Sequence, residues 1–83
     1  MYGVGRYKLP PDLAGLTISE WDMILTQAGY SSVDAGIVRF YILGRMAQVD
    51  AAAELDITER TIRRHITYII DRARVVAQKL NIA

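Results

Sequence analysis

Cysteine is absent from the 83-residue chain, and histidine occurs once, as His65. The lack of cysteine excludes disulfides, thiolate nucleophiles and cysteine-ligated zinc, and a lone histidine excludes a site built from several imidazoles. Because cytosolic proteins seldom carry disulfides, we expect a cytoplasmic protein. No apolar run approaches the roughly 18 residues that a membrane span needs, and residues 1–16 contain no signal-like apolar stretch, so no membrane partner is expected.

Alternating strand patterns and catalytic groupings are also lacking. Apolar and polar residues nowhere alternate over a stretch long enough for a sheet, which predicts an all-α protein. The chain has no glycine-rich phosphate loop and no paired-carboxylate pattern, so we expect neither an enzyme nor a cofactor or metal site. Hydrophobic residues make up 52% of the chain and charged residues 23%, a balance typical of one small globular domain rather than a disordered tail.

Proline, glycine and capping residues divide the chain. Both prolines and three of the six glycines lie within residues 1–16, which predicts an extended N-terminal arm followed by a folded domain at 17–83. Capping residues and glycines bound four predicted helices, which form a small bundle with a long last helix. These helices cover about residues 18–28, 32–43, 48–55 and 59–80.

The net charge of +1 hides an uneven distribution. Residues 1–56 carry four basic and seven acidic side chains, a balance of −3, whereas residues 57–83 carry six basic and two acidic ones, a balance of +4. Five of those six basic residues are arginines, whose planar guanidinium suits phosphates and guanine edges. A basic segment of this kind can bind a polyanion, and a solvated helix face is the alternative explanation.

The stretch from Gln48 to Ile66 has the pattern of a helix-turn-helix, with a short helix, a tight turn and a capped second helix. Ala52 supplies the small residue that is needed where the two helices cross. Asp56 occupies the turn, because aspartate is among the few non-glycine residues that tolerate a left-handed backbone. Apolar contacts between the two helices are expected from Leu55, Ile57, Ile62 and Ile66.

The sequence around this motif resembles known DNA-binding families. Residues 52–66, and above all the segments 55–58 and 61–66, are similar to the helix-turn-helix of bacterial sigma-factor region 4 and of LuxR-type response regulators. Residues 37–44 resemble the helix that packs before the motif in those families, so the resemblance covers about residues 33–74.

This resemblance implies that the helix starting at Thr58 enters the major groove of DNA. It favours a small phage or mobile-element regulator with RNA polymerase as a partner. Asp56 replaces the usual turn glycine, Ala47 stands where a Ser or Thr often caps the first helix, and the helix predicted at 18–28 is an addition to the family pattern.

Eight residues are predicted to contact duplex DNA, with phosphate contacts setting the register and base contacts the specificity. The phosphate contacts are predicted at Gln48, Thr58 and Thr61, and the base contacts at Glu59, Arg60, Arg63 and Arg64, with Thr67 on the same outward face. Arginine favours guanine and glutamate favours cytosine. The predicted function is therefore sequence-specific binding of double-stranded DNA in transcription regulation.

Two other classes of function share these features. A DNA-recognition component of phage packaging or replication, similar to a small terminase subunit, would use the same motif, and a helical protein-interaction module would use the helices without DNA. Trp21 is assigned to the core, and His65 to the core edge or to a phosphate contact.

A heptad-like seam runs along the last predicted helix, with spacings of four and three residues. Its members are Ile62, Ile66, Ile69, Ala73, Val76 and Leu80. We expect Val76 and Leu80 to remain uncovered within the domain and to pack against a second copy of the chain, which predicts a homodimer through the last helix. Packing onto the protein's own N-terminal helices is the alternative.

Overall fold

The computed structural model describes residues 7–82, so the part of the predicted arm at 1–6 lies outside the described residues. Between residues 7 and 82 all regular structure is helical, as predicted. The five α-helices are α1 (Pro11–Ala14), α2 (Ile18–Ala28), α3 (Ser32–Ile37), α4 (Gln48–Leu55) and α5 (Glu59–Lys79), and a π-helical segment (Val38–Leu43) continues α3. No helix in this range combines the length and apolarity of a membrane span.

Capping residues mark the starts of α2, α3 and α5 and the ends of α2 and α4, as the sequence predicts. Thr17 and Glu20 form a reciprocal capping box at the start of α2, with the Glu20 backbone N–H donating to Thr17 Oγ1 at 3.1 Å and the Thr17 N–H donating to Glu20 Oε1 at 2.8 Å. Gly29 ends α2 with a φ of 70°, a conformation that favours glycine. Thr58 caps α5 by accepting the Thr61 N–H at 3.1 Å. Each such cap contributes about 1 kcal/mol to stability.

The core forms along one side of α5, against which α2, α3 and α4 pack. α5 contributes six buried residues, which are Ile62, Ile69, Ile70, Ala73, Val76 and Ala77. α2 adds Trp21, which is 1% exposed and confirms its core assignment, and α3 with the π-helical segment adds Ile37 and Val38. The opposite side of α5 is left to solvent, and this side becomes the candidate site.

Residues 11–14 belong to the packed fold and not to an extended arm, so the predicted arm is wrong there. Pro11–Ala14 forms one helical turn, and Leu13 is fully buried. The guanidinium of Arg74 donates to both carboxylate oxygens of Asp12, from Nε at 2.5 Å and from Nη2 at 3.3 Å. This contact holds the pKa of Asp12 below its ordinary range. The turn is helical because Pro at the first helical position costs no hydrogen bond and Leu13 gains burial.

The apolar seam of α5 is covered by the chain itself, so the prediction that Val76 stays available for a second copy is wrong. Val76 is 2% exposed, and Leu80 is partly buried against the same core. The physical reason is that α2 lies along the C-terminal half of α5, where Arg72 Nε donates to the Ala28 carbonyl at 2.9 Å. A homodimer through this seam would require the domain to expose its own core.

Candidate nucleic-acid interface

A three-residue turn, Asp56 to Thr58, joins α4 to α5, in the order of short helix, turn and longer helix that the sequence predicts. Asp56 adopts the predicted left-handed conformation, with φ 56° and ψ 44°. The backbone N–H of Ile57 donates to the Ala52 carbonyl at 3.0 Å, which closes the end of α4. Ala52 is 4% exposed, consistent with its expected place in the crossing. The left-handed Asp56 and the Ile57 hydrogen bond therefore end α4 at Leu55, with two residues between it and the capping residue of α5.

α4 packs against α3 where the side chain of Leu55 meets Gly36. The side chain of Leu55 lies so near Gly36 that a Cβ atom at Gly36 would overlap its Cδ2. Gly36 is buried in the last turn of α3, so the fit is part of the interior. This contact is one of those that pack α4 onto the rest of the fold.

Three arginines and a threonine share the outward face of the first turns of α5. Arg63, Arg64 and Thr67 follow Arg60 by three, four and seven residues, the spacing of one helical face, and all four are exposed. The arginine–carboxylate ion pairs found between residues 7 and 82 join Arg74 to Asp12 and Asp71, and do not include these three arginines. The three guanidinium groups therefore present their donors to solvent.

The side-chain amide of Gln48, a predicted phosphate contact, is hydrogen-bonded to Tyr41 and Glu59. Gln48 is the first residue of α4 and half-buried. Its Oε1 accepts a hydrogen bond from the Tyr41 hydroxyl at 3.3 Å, and its Nε2 donates to Glu59 Oε1 at 3.1 Å. Local spacing carries no signal of this arrangement, because Gln48 and Glu59 lie eleven residues apart on different helices.

Thr58 and Thr61 lie together at the N-terminus of α5. Their hydroxyl oxygens are 3.0 Å apart, and either group can be the donor. One hydroxyl hydrogen is used in this bond and the other can serve an outside acceptor. Thr58 is exposed and Thr61 half-buried, at the helix end whose dipole favours anions. Both residues therefore remain compatible with the predicted phosphate contacts.

His65 lies at the edge of the core, beside the exposed face and not on it. Its Nδ1 is 2.7 Å from Oδ1 of Asp34, a residue of α3 that is 6% exposed. Asp34 was not singled out by sequence reasoning, since a carboxylate in a first helical turn is usually a solvated cap residue. The pair ties α3 to α5 directly behind the arginine cluster.

A separate cavity of about 250 Å³ opens between α2 and the end of α5. It is lined by Asp22, Met23, Thr26, Gln27 and Leu80. This lining has one carboxylate and no second titratable side chain, so it offers no acid–base pair. It shares no residue with the predicted DNA contacts.

Seven of the eight predicted DNA contacts therefore lie in α5 or at its capping residue, and four of these seven lie on the exposed face of the helix. The eighth, Gln48, lies in α4 and is hydrogen-bonded to Glu59. No protein-family model, curated protein or solved structure matches the chain.

Proposed function

We propose that this protein binds double-stranded DNA sequence-specifically through α4, its turn and α5, and that it acts as a transcriptional regulator. The observation that carries the proposal is the exposed cluster of Arg60, Arg63, Arg64 and Thr67 on the helix that follows the turn. In helix-turn-helix proteins the second helix lies in the major groove, which is wide enough to admit an α-helix.

The dimensions of the cluster suit a few consecutive base pairs. From Arg60 to Thr67 the helix rises about 10 Å, at 1.5 Å per residue. That length corresponds to about three base pairs at 3.4 Å each. Arginine side chains add reach on both sides, and each can bond two acceptors of guanine or a phosphate.

The charge around the cluster also favours a polyanion. Asp71 is the acidic residue that comes next along the same face, four residues after Thr67. Its carboxylate accepts a hydrogen bond from Arg74 Nη1 at 3.3 Å, which offsets part of its repulsion toward phosphates. Along the face formed by residues 60, 63, 64, 67 and 71, three arginines therefore stand against one aspartate.

The resemblance to sigma-factor region 4 and LuxR-type domains supports regulation beside RNA polymerase, in the cytoplasm of a bacterial cell. A DNA-recognition role in phage packaging or replication would use the same surface, and the identity of the selected site would separate the two. A protein-interaction module would select no duplex sequence at all.

The test is selection of duplexes from a random library by the purified protein, with sequencing of the bound fraction. We expect wild type to enrich a defined sequence and a variant with Arg63→Ala and Arg64→Ala to lose the enrichment while keeping its helical circular dichroism. An enriched palindrome would indicate two copies on the site. Failure of wild type to enrich any sequence, at low and at physiological salt, would overturn the proposal.

A further inference from the structure

We infer that Gln48 is a positioning residue that sets the base preference of Glu59, through a hydrogen-bonded relay that starts at the hydroxyl of Tyr41. The inference rests on the proposed DNA binding and deepens it, because it assigns one contact of the site to a base edge that carries an amino group.

The relay has a fixed direction. Tyr41 lies in the π-helical segment, is 5% exposed, and donates its hydroxyl hydrogen to Gln48 Oε1. Gln48 Nε2 then donates to Glu59 Oε1. Turning the amide around would bring its oxygen against a carboxylate, and neither group can donate. The carboxylate and the tyrosine therefore hold the amide of Gln48 in one orientation.

Glu59 is thereby oriented before any DNA arrives. A glutamate side chain has several rotamers, and restricting them at binding would cost free energy. Here one carboxylate oxygen is already held by Gln48, and the side chain is half-buried at the first residue of α5. N-terminal residues of a recognition helix are the ones that contact base edges. The position and the preset orientation both suit a specificity contact.

The chemistry of the second carboxylate oxygen limits its partner. A carboxylate only accepts hydrogen bonds and repels phosphate, so its partner in a duplex must be a donor. In the major groove the donors are the amino groups of cytosine and adenine, and cytosine N4 is the usual partner of glutamate. The relay therefore selects for cytosine, and against the acceptor edges of guanine and thymine, at one position of the site.

A purely structural relay would have a different signature. If the bonds only fasten α4 and the π-helical segment to α5, their loss lowers stability and leaves every base preference as it was. Tyr41→Phe separates the two cases because Tyr41 is buried and cannot touch DNA. Tyr30→Phe is the matched control, since it removes another tyrosine hydroxyl bond, to the Ile69 carbonyl at 2.6 Å, outside the relay.

The experiment measures binding of the full chain to its selected duplex and to the three single-base variants at each position, by fluorescence anisotropy. For wild type we expect about tenfold or greater preference for cytosine at one position. In Gln48→Ala and Tyr41→Phe that preference falls toward unity while the other positions keep theirs. Glu59→Gln shifts it from cytosine to adenine, because a glutamine can bond adenine N6 and N7. Tyr30→Phe keeps the wild-type profile.

The outcomes separate the two proposals. If wild type selects a site but Gln48→Ala, checked for folding by circular dichroism, retains the full profile, the relay is structural and the inference is overturned while DNA binding stands. The same conclusion follows if Glu59→Gln leaves every position unchanged. If wild type selects no site, the proposed function fails and the inference fails with it.

Discussion

Nδ1 of His65 lies 2.7 Å from Oδ1 of Asp34, and this contact joins α5 to α3 across 31 residues of sequence. The two partners differ in their access to water. The His65 side chain is 43% exposed, whereas that of Asp34 is 9% exposed. Removal of the His65 imidazole therefore leaves the Asp34 carboxylate without a hydrogen-bond donor in a place that water barely reaches. Removal of the Asp34 carboxylate leaves the imidazole able to bond to water.

His65→Ala is expected to lower the free energy of unfolding by about 1–3 kcal/mol, the cost of leaving a buried acceptor without a donor. Asp34→Asn should cost less, because its amide oxygen can still accept from the ring. Urea denaturation at pH 7 measures both. Thr67→Ala on the exposed face of the same helix is the control, with an expected change below about 0.5 kcal/mol. Equal stabilities of the His65 and Thr67 variants would show that the pair adds nothing.

Stability should fall steeply in alkaline solution because of Tyr30. Its hydroxyl donates to the Ile69 carbonyl, and burial raises the pKa of Tyr30 well above its ordinary value near 10. Above about pH 10 the unfolded chain releases this proton while the native protein keeps it, so the unfolded state binds fewer protons and the free energy of unfolding decreases with pH.

The measurement is the urea midpoint between pH 8 and pH 12, for wild type and for Tyr30→Phe. The variant starts from a lower stability because it lacks the hydrogen bond. Its decline above about pH 10 should be shallower, since one group with a raised pKa is gone. Parallel curves for the two proteins would contradict the assignment.

Leu13→Ala should destabilise the whole domain and not only the segment before α2. Leu13 is fully buried, and removal of a buried leucine side chain costs about 2–5 kcal/mol. Ile18→Ala serves as the control because Ile18 is 69% exposed. Thermal unfolding of both variants, followed by circular dichroism, decides the matter. If Leu13→Ala melts like Ile18→Ala, the first helical turn is not part of the core.

The bounds of α2 and the end of α4 were predictable from sequence because each depends on a local interaction. The Thr17–Glu20 box, the left-handed Gly29 and the left-handed Asp56 act within a few residues of the positions that they mark. The outward arginine cluster was predictable for the same reason, since helical periodicity alone places Arg60 and Arg64 opposite Ile62.

Most of the contacts that could not be predicted join distant parts of the chain. Val76 is buried because α2 lies along α5, and no spacing in either helix specifies that arrangement. Gln48 faces Glu59 only after the turn has brought α4 beside α5. One local hydrogen bond was not predicted either: the Gly44 N–H donates to the Arg39 carbonyl at 2.8 Å, in the π-helical pattern. The sequence does not indicate this bond, because the apolar spacing there fits an ordinary α-helix.

Val76→Glu tests the burial of the seam. A charge at a side chain that is 2% exposed cannot be accommodated without unfolding, so we expect loss of cooperative thermal melting. Val75→Glu is the neighbouring control, since Val75 is 46% exposed, and it should fold normally. Sedimentation velocity of both proteins completes the test. If wild type sediments as a dimer and Val76→Glu as a folded monomer, the seam is a subunit interface and its assignment to the core is wrong.

Arg63→Ala and Arg64→Ala should separate DNA affinity from folding. Both side chains are exposed on the face opposite the core, so each change should alter the free energy of unfolding by less than about 0.5 kcal/mol. Loss of a phosphate contact weakens binding to every duplex and lowers the slope of log affinity against log salt by about 0.9. Loss of a guanine contact costs about 1–3 kcal/mol on the preferred site and little on a scrambled one. We expect at least one of the two arginines to show the second behaviour.

Fluorescence anisotropy on selected and scrambled duplexes, at several salt concentrations, distinguishes these effects. Lys79→Ala is the matched control, because Lys79 is an exposed cation in the last turn of the same helix and far from the cluster. It removes one positive charge, so any effect of net charge alone appears equally in all three variants. If the two arginine variants bind both duplexes as Lys79→Ala does, the first turns of α5 do not read DNA, and the basic cluster is only a solvated helix face.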